Sequence, residues 1–253
     1  MHNYNIIYTF VFYFAKILFF LYMTTKMFID FLNLFFPRTC RCCGTALLSS
    51  ENQICIKCIL HLPLTNFVDL VDNLVEKMFW GRCKIEAATA LFYFRKKGNI
   101  QKILHEIKYK SNIKLAHKMG NLLGIELKKS NRFADVDIII PVPLHPKKQR
   151  KRGYNQSEEI AKGMAVHFKR EINTSCLIRQ TYNKTQTKKG RVERWSNVSD
   201  IFSVMDPEAI KGKHILLVDD VLTTGATLEA CALKLLEVPS VRVSIAALSV
   251  VSD

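Results

Sequence analysis

The stretch His214-Ile-Leu-Leu-Val-Asp-Asp-Val-Leu-Thr-Thr-Gly-Ala-Thr-Leu228 decides the fold. Ile215 to Val218 is a short apolar run, the mark of a strand buried on both faces. Asp219 and Asp220 sit at its C-terminal end, the turn Thr223-Thr224-Gly225-Ala226-Thr227 follows, and helical periodicity runs from Leu228 to Leu236. Ligands of open α/β sheets bind outside the carboxyl ends of the strands. Backbone N–H groups and hydroxyls at the start of a helix hold a phosphate. Two acids beside that cradle can hold vicinal sugar hydroxyls or a divalent metal. The order strand, acid pair, Thr/Gly turn, helix therefore describes a site for a phosphorylated sugar.

The segment resembles the phosphoribosyl-diphosphate (PRPP) motif of type I phosphoribosyltransferases: four apolar residues, two acids, two further residues and a Thr/Gly turn. The resemblance implies that Asp219 and Asp220 hold the ribose hydroxyls. It also implies that Val221, Leu222, Thr223, Thr224, Gly225, Ala226 and Thr227 form the 5′-phosphate segment. An apolar-Asp-Asp strand also opens response-regulator receivers. A receiver needs roughly a hundred further residues, on the scale of a domain, whereas 33 follow Asp220. The bland alternative is a buried strand ending in a solvated loop.

A chain of 253 residues accommodates one substantial core with a small module. Its net charge of +15 favours anionic partners: nucleic acid, phospholipid surfaces or polyphosphorylated small molecules. Residues 1–26 form a hydrophobic extension. Asn5 to Tyr22 is almost wholly apolar or aromatic, interrupted by Lys16, and its 18 residues are at the short limit for a membrane span. It has neither the charged start nor the small-residue cleavage site of a signal peptide. Three readings compete: an anchor giving membrane contact through residues 5–22, an interfacial helix, or translated upstream sequence with Met23 or Met27 as the true start. Phe, Tyr, Ile, Asn, Lys and Met make up 18 of the first 26 residues, and their A/T-rich codons favour the third; hydropathy alone favours the first.

Five of the eight cysteines fall between Cys40 and Cys58. Cys40-Arg-Cys-Cys43-Gly44 and Cys55-Ile-Lys-Cys58 are two CxxC pairs separated by eleven residues. Four thiolates on two such knuckles suit a closed, structural Zn²⁺ site, and Gly44 permits the tight turn between sulfurs. Clustered CxxC pairs in a larger α/β chain point to metal and a reducing cytoplasm rather than to a disulfide scaffold. Cys40, Cys43, Cys55 and Cys58 are the expected ligands. Cys42 and His61 are alternatives, and free or redox-active thiols are the bland reading. The module resembles the N-terminal zinc ribbon of the ComF family of competence-associated phosphoribosyltransferase-like proteins. Those proteins lead into the first CxxC with an apolar helix and Phe-Pro, here Phe28 to Pro37, and follow the second with Leu-Pro, here Leu62-Pro63.

Downstream, the apolar spacing of Phe67, Leu70, Val71, Leu74, Val75 and Met78 predicts a helix over Asn66–Trp80. Ala87–Phe94 reads as a strand, and helices are expected from Ile100 to about Lys110 and from Ile113 to Lys128. Lys108-Tyr109 matches a Lys-Tyr pair of the family; a solvated helix end is the favoured reading of Lys108, a lysine facing diphosphate the other. The run Asp137–Val142 predicts a central strand. Pro143 to Gln156 reads as a loop carrying Lys147, Lys148, Arg150, Lys151 and Arg152, with Asn155 capping a helix from Gln156 to Phe168. Opposite a phosphate cradle, Arg150, Lys151 and Arg152 are candidates to hold a diphosphate leaving group, on which negative charge grows as the C–O bond breaks. A nucleic-acid patch is the alternative. Pro-Val-Pro-Leu-His-Pro146 and Arg-Gly-Tyr-Asn-Gln156 form the family's most distinctive block. Arg179 to Arg191, Arg194 to Asn197 and Phe202 also resemble it.

The resemblance runs from Met27 to the end. It implies an α/β, type I phosphoribosyltransferase fold, a mostly parallel sheet flanked by helices, with an N-terminal zinc-ribbon module. The expected divisions are 1–26 extension, 27–65 ribbon and 66–253 phosphoribosyltransferase-like domain. The implied activity is transfer of a phosphoribosyl group from PRPP, with Mg²⁺, to an unknown nucleophile, linked to DNA uptake in natural transformation. The competing class is a non-catalytic competence factor binding single-stranded DNA or a helicase. No pocket for a second substrate stands out in the sequence.

Overall fold

A computed structural model describes residues 16–25, 27, 28, 31, 33, 35–180 and 201–251. The chain divides into two compact units, Met1–Ile59 and Leu60–Asp253. In the first, residues 16–25 are helical, and the cysteine knuckles lead into α1 (Ile56–Leu60). No helix among the described residues is long and apolar enough to cross a membrane. The first fifteen residues, which carry much of the apolar extension, lie outside the described ones.

The second unit is built on a five-stranded sheet of β1 (Ala88–Phe94), β2 (Ile138–Pro141), β3 (Glu171–Ile172), β6 (His214–Leu222) and β7 (Arg242–Val251). The spatial order is β1-β7-β6-β2-β3, and every pairing is parallel. The runs Ile138–Ile140 and Ile215–Val218 are buried throughout, as strands covered on both faces must be. Ile140, Leu217, Ile245 and Ala247 pack on one face with Leu228 and Leu235 of α7 (Ala226–Leu236). That cluster also takes Leu177 and Phe202 from an antiparallel pair, β4 (Leu177–Arg179) and β5 (Phe202–Val204), which the sequence did not announce.

The helices α3 (Asn99–Tyr109), α4 (Ile113–Lys129) and α6 (Gln156–Phe168) stand within a residue of where periodicity put them. The two longer ones pack unusually closely. A Cβ on Gly120 would stand 2.0 Å from the Ile160 carbonyl oxygen, and one on Gly163 would stand 2.2 Å from that of His117. Only glycine lets the backbones approach this far.

Two expectations are corrected. Asn66–Trp80 is not one helix: only α2 (Leu74–Lys77) forms, because Asn66 and Asp72 take left-handed backbone and Asn73 caps the later start, accepting from Val75 N and Glu76 N. Of the apolar pattern, Phe67 and Val75 are buried, and so is the neighbouring Phe79, whereas Leu70, Val71 and Leu74 are exposed. Pro143–Gln156 is not loop throughout, since α5 (Pro146–Arg152) lies within it. Pro146 opens that helix, His145 Nδ1 accepts from the Lys147 amide at 3.1 Å, and Gly153 closes it.

His214 begins β6 at the end remote from the acid pair. It is 1% exposed and fully paired, with Nδ1 2.9 Å from Asp135 Oδ1 and Nε2 2.8 Å from Ser244 Oγ. The Arg242 hydrogen bond holds the Asp135 carboxyl below its ordinary range against the opposing cost of burial, and His214 adds to the lowering.

Candidate functional site

Strand β2 continues through α5 and α6 to β3 on one side of the sheet order, whereas β6 continues through α7 to β7 on the other. The connections thus diverge between β2 and β6, and in open parallel sheets that divergence opens a crevice at the strands' carboxyl ends. The acid pair ends β6, the Thr/Gly turn follows it, and the basic helix follows β2. Three segments far apart in sequence are therefore delivered to one switch point.

Asp219 is the most perturbed group there. Its Oδ1 accepts from Ser157 Oγ at 2.8 Å and from the Asp220 amide at 2.8 Å. Burial, followed by the charge of Asp220, pushes its carboxyl up to about 7, although those hydrogen bonds and Lys108 pull the other way. Asp220 is 7% exposed, and its Oδ1 lies 2.9 Å from Lys108 Nζ. Lys108 is therefore not a solvated helix end. It falls four residues after the buried Leu104, on the stripe that α3 turns inward, and this spacing was the signal that could have placed it.

The Thr/Gly turn is held from behind. Gly225 has φ +78°, a left-handed conformation suited to glycine. As N-cap of α7 it brings no side chain to the helix's first amides. Arg82 Nη1 donates to the carbonyls of Thr224 and Met78, each at 2.9 Å, and its Nη2 pairs with Glu229 on the first turn of α7. Thr223, Thr224, Ala226 and Thr227 are exposed, Leu222 and Gly225 are buried, and Val221 lies between. Nothing local in the sequence marks Arg82, which acts across 142 residues.

In α5, Lys147, Lys148, Arg150 and Lys151 are exposed and Arg152 is partly buried. Arg152 Nη1 donates to Gln156 Oε1 at 2.6 Å, and its guanidinium lies 5.7 Å from the centre of the Tyr109 ring. Arg150 and Lys151 have no such tether to α6. Asn155 pins the start of α6 to the end of β2: its Nδ2 donates to Val142 O at 3.0 Å and its Oδ1 accepts from Ser157 N at 3.1 Å. This cap is what sets Ser157 against Asp219. The Arg191, Arg194 and Asn197 expectations lie outside the described residues.

In the first unit, Cys40, Cys43, Cys55 and Cys58 bring their sulfurs within 4.8 Å of one another. Cys43 Sγ and Cys55 Sγ are 3.8 Å apart, the edge of a tetrahedron with ~2.3 Å metal–sulfur bonds. The amides of Cys42 and Cys55 point at Cys40 Sγ, and that of Cys58 at Cys55 Sγ, each at 3.4 Å. The Thr45 hydroxyl, then its backbone, draws the Cys43 thiol down to about 6, while burial pushes Cys58 up. The set is compatible with structural zinc. Neither Cys42 nor His61 belongs to it.

A phosphoribosyl transferase domain model matches residues 153–250, which include both acids, the turn and Ser157. The DNA utilization protein YhgH of Escherichia coli O157:H7 is 28% identical over 137 residues, covering 53% of this chain and 60% of that protein. Competence protein F of Haemophilus influenzae is 25% identical over 130 residues, 50% of this chain and 57% of that one. Competence protein ComFC of Bacillus subtilis is 33% identical over 107 residues, 40% of this chain and 38% of that one. The match thus spans at most 60% of the length of these relatives. With the parallel sheet, the acid pair and the cysteine cluster, these likenesses make the chain similar to the ComF family of phosphoribosyltransferase-like proteins.

Proposed function

We propose that the chain binds PRPP at the β2/β6 switch point and transfers its phosphoribosyl group to a nucleophile, releasing diphosphate. The observation that carries this reading is the convergence of three chemically distinct segments on one crevice. Asp219 and Asp220 take the ribose hydroxyls. The segment Val221–Thr227, with its exposed threonines and uncapped helix start, takes the 5′-phosphate. Arg150, Lys151 and Arg152 face the diphosphate. As the nucleophile bonds to C1, the electron pair of the C1–O bond leaves with the diphosphate, and fixed cations there favour the step. Holding both ends of the donor supplies orientation.

Mg²⁺ prefers carboxylate and phosphate oxygens, so Asp219 and Asp220 are the residues that would hold it together with the ligand, where it would offset the diphosphate charge. The donor set fits, although one oxygen of Asp220 already faces Lys108. In the first unit, Cys40, Cys43, Cys55 and Cys58 would hold Zn²⁺, and a site closed by four sulfurs serves folding rather than catalysis.

Relatives named for competence and for DNA utilization support a role for the chain in DNA uptake. The +15 charge and the exposed basic face of α5 favour a second reading, a competence factor binding single-stranded DNA or a helicase. Diphosphate release from PRPP, screened against amines and nucleobases, separates the two. Release that vanishes in Asp219→Asn/Asp220→Asn supports transfer. No release with any acceptor, alongside salt-sensitive DNA binding unchanged by the double substitution, favours the second reading.

A further inference from the structure

Asp220 approaches the crevice with its charge already answered. Its ion pair with Lys108 spans 2.9 Å, and the two side chains are only 10% and 19% exposed. Shielding of this kind makes a pair stronger than one at the surface. Lys108 comes from the last turn of α3, and that turn is fastened to the end of the basic helix. The Tyr154 hydroxyl donates to Ile107 O, Ser111 Oγ donates to Arg152 O at 3.2 Å, and Arg152 covers the Tyr109 ring. Lys108 therefore stands between the acids and the segment that carries Arg152.

The chemistry of a C1-diphosphorylated sugar gives that position meaning. The anomeric oxygen and the C2 hydroxyl are on adjacent carbons. A cation bonded to the carboxylate that receives the hydroxyls is thus within one side chain's reach of the anomeric oxygen. We infer that Lys108 contacts the ligand directly, serving as counter-ion to Asp220 in the empty site and donating to the C1 diphosphate in the filled one. The inference rests on the PRPP reading and deepens it. Lysine suits the double task, because its three donors and flexible stem can keep one partner while taking another. The 5′-phosphate end, held by the Thr223–Thr227 turn, lies outside its influence.

Equilibrium binding to the full chain, with PRPP, inorganic diphosphate and ribose 5-phosphate as probes, tests this for wild type, Lys108→Met, Lys108→Gln and Lys108→Arg. Loss of a charge-assisted hydrogen bond predicts PRPP and diphosphate affinity lower by roughly 10- to 100-fold in the Met and Gln variants, with recovery in Arg. Ribose 5-phosphate affinity should stay within about threefold, because that end loses no hydrogen bond. The retained affinity also reports that the variants fold, and Lys108→Gln decides if Lys108→Met does not. Equal loss for PRPP and ribose 5-phosphate would show that Lys108 only holds Asp220 in place and would overturn the inference. So would unchanged PRPP affinity, in either case leaving the PRPP reading intact. A wild type that binds none of the three probes removes the PRPP reading and this inference with it.

Discussion

Replacing Asp219 by Asn should make the protein more stable at pH 8 and leave its stability unchanged near pH 4. The folded chain raises this carboxyl from 3.8 to about 7, with burial as the first cause and the Asp220 charge as the second. Below the lower value both folded and unfolded chains hold the proton, so the group contributes nothing to the pH dependence. Between the two values the unfolded chain releases the proton and the folded chain keeps it, so stability falls as pH rises. Above about 7 the full penalty remains. An interval of about three pH units at ~1.4 kcal/mol each sets a ceiling of roughly 4 kcal/mol. Partial exposure and the relaxation of neighbours reduce this to about 2 kcal/mol. Asparagine removes the penalty and keeps an oxygen for Ser157 Oγ and the Asp220 amide. For a unit of this size the gain corresponds to a Tm about 4–8 °C higher. Differential scanning calorimetry of wild type and Asp219→Asn across pH 4–8, without ligand, reads the difference directly. A pH-independent difference, or a less stable variant at pH 8, would refute the reasoning.

Other consequences are equally direct. Gly120→Ala should lower the denaturant midpoint by the equivalent of about 3 kcal/mol, because its Cβ meets a backbone oxygen that cannot rotate away; an unchanged midpoint would mean α4 and α6 are not packed as described. Arg82→Gln should weaken ribose 5-phosphate binding about 3- to 10-fold by freeing the Thr224 carbonyl and Glu229, the reverse of the Lys108 pattern, and equal affinity would show that the turn holds itself. Cys55→Ser/Cys58→Ser should lose one equivalent of zinc by metal analysis, and retention would place the metal elsewhere. If Asp219 must ionise to receive the ligand, PRPP affinity should rise as pH increases through about 7; calorimetric titrations at pH 6 and pH 8 with equal affinity would oppose this.

Features set by local pattern could be read from the sequence. The buried run into Asp219-Asp220, the Thr/Gly turn, the Asn155 cap and the CxxC spacing each depend on neighbours a few residues away. Contacts across the sheet could not be read in this way. Ser157, at the start of α6, reaches Asp219 on β6, Lys108 at the end of α3 reaches Asp220, and Arg82, ahead of β1, reaches Thr224, all only through the tertiary fold. The helix expected over Asn66–Trp80 failed for a related reason. Only Phe67, Val75 and, in part, Met78 of its apolar pattern reach the core, and two left-handed positions and the Asn73 cap confine helix to one turn. The basic segment was misread in the opposite direction, since its prolines signal a break while Pro146 in fact starts a helix.

The most direct test of the switch-point site is titration calorimetry of the full chain with PRPP and Mg²⁺, on wild type and on Asp219→Asn/Asp220→Asn. One PRPP per wild-type chain, with binding lost in the double variant, is the predicted result. Absence of binding to the wild type, or binding that survives removal of both carboxylates, would contradict it.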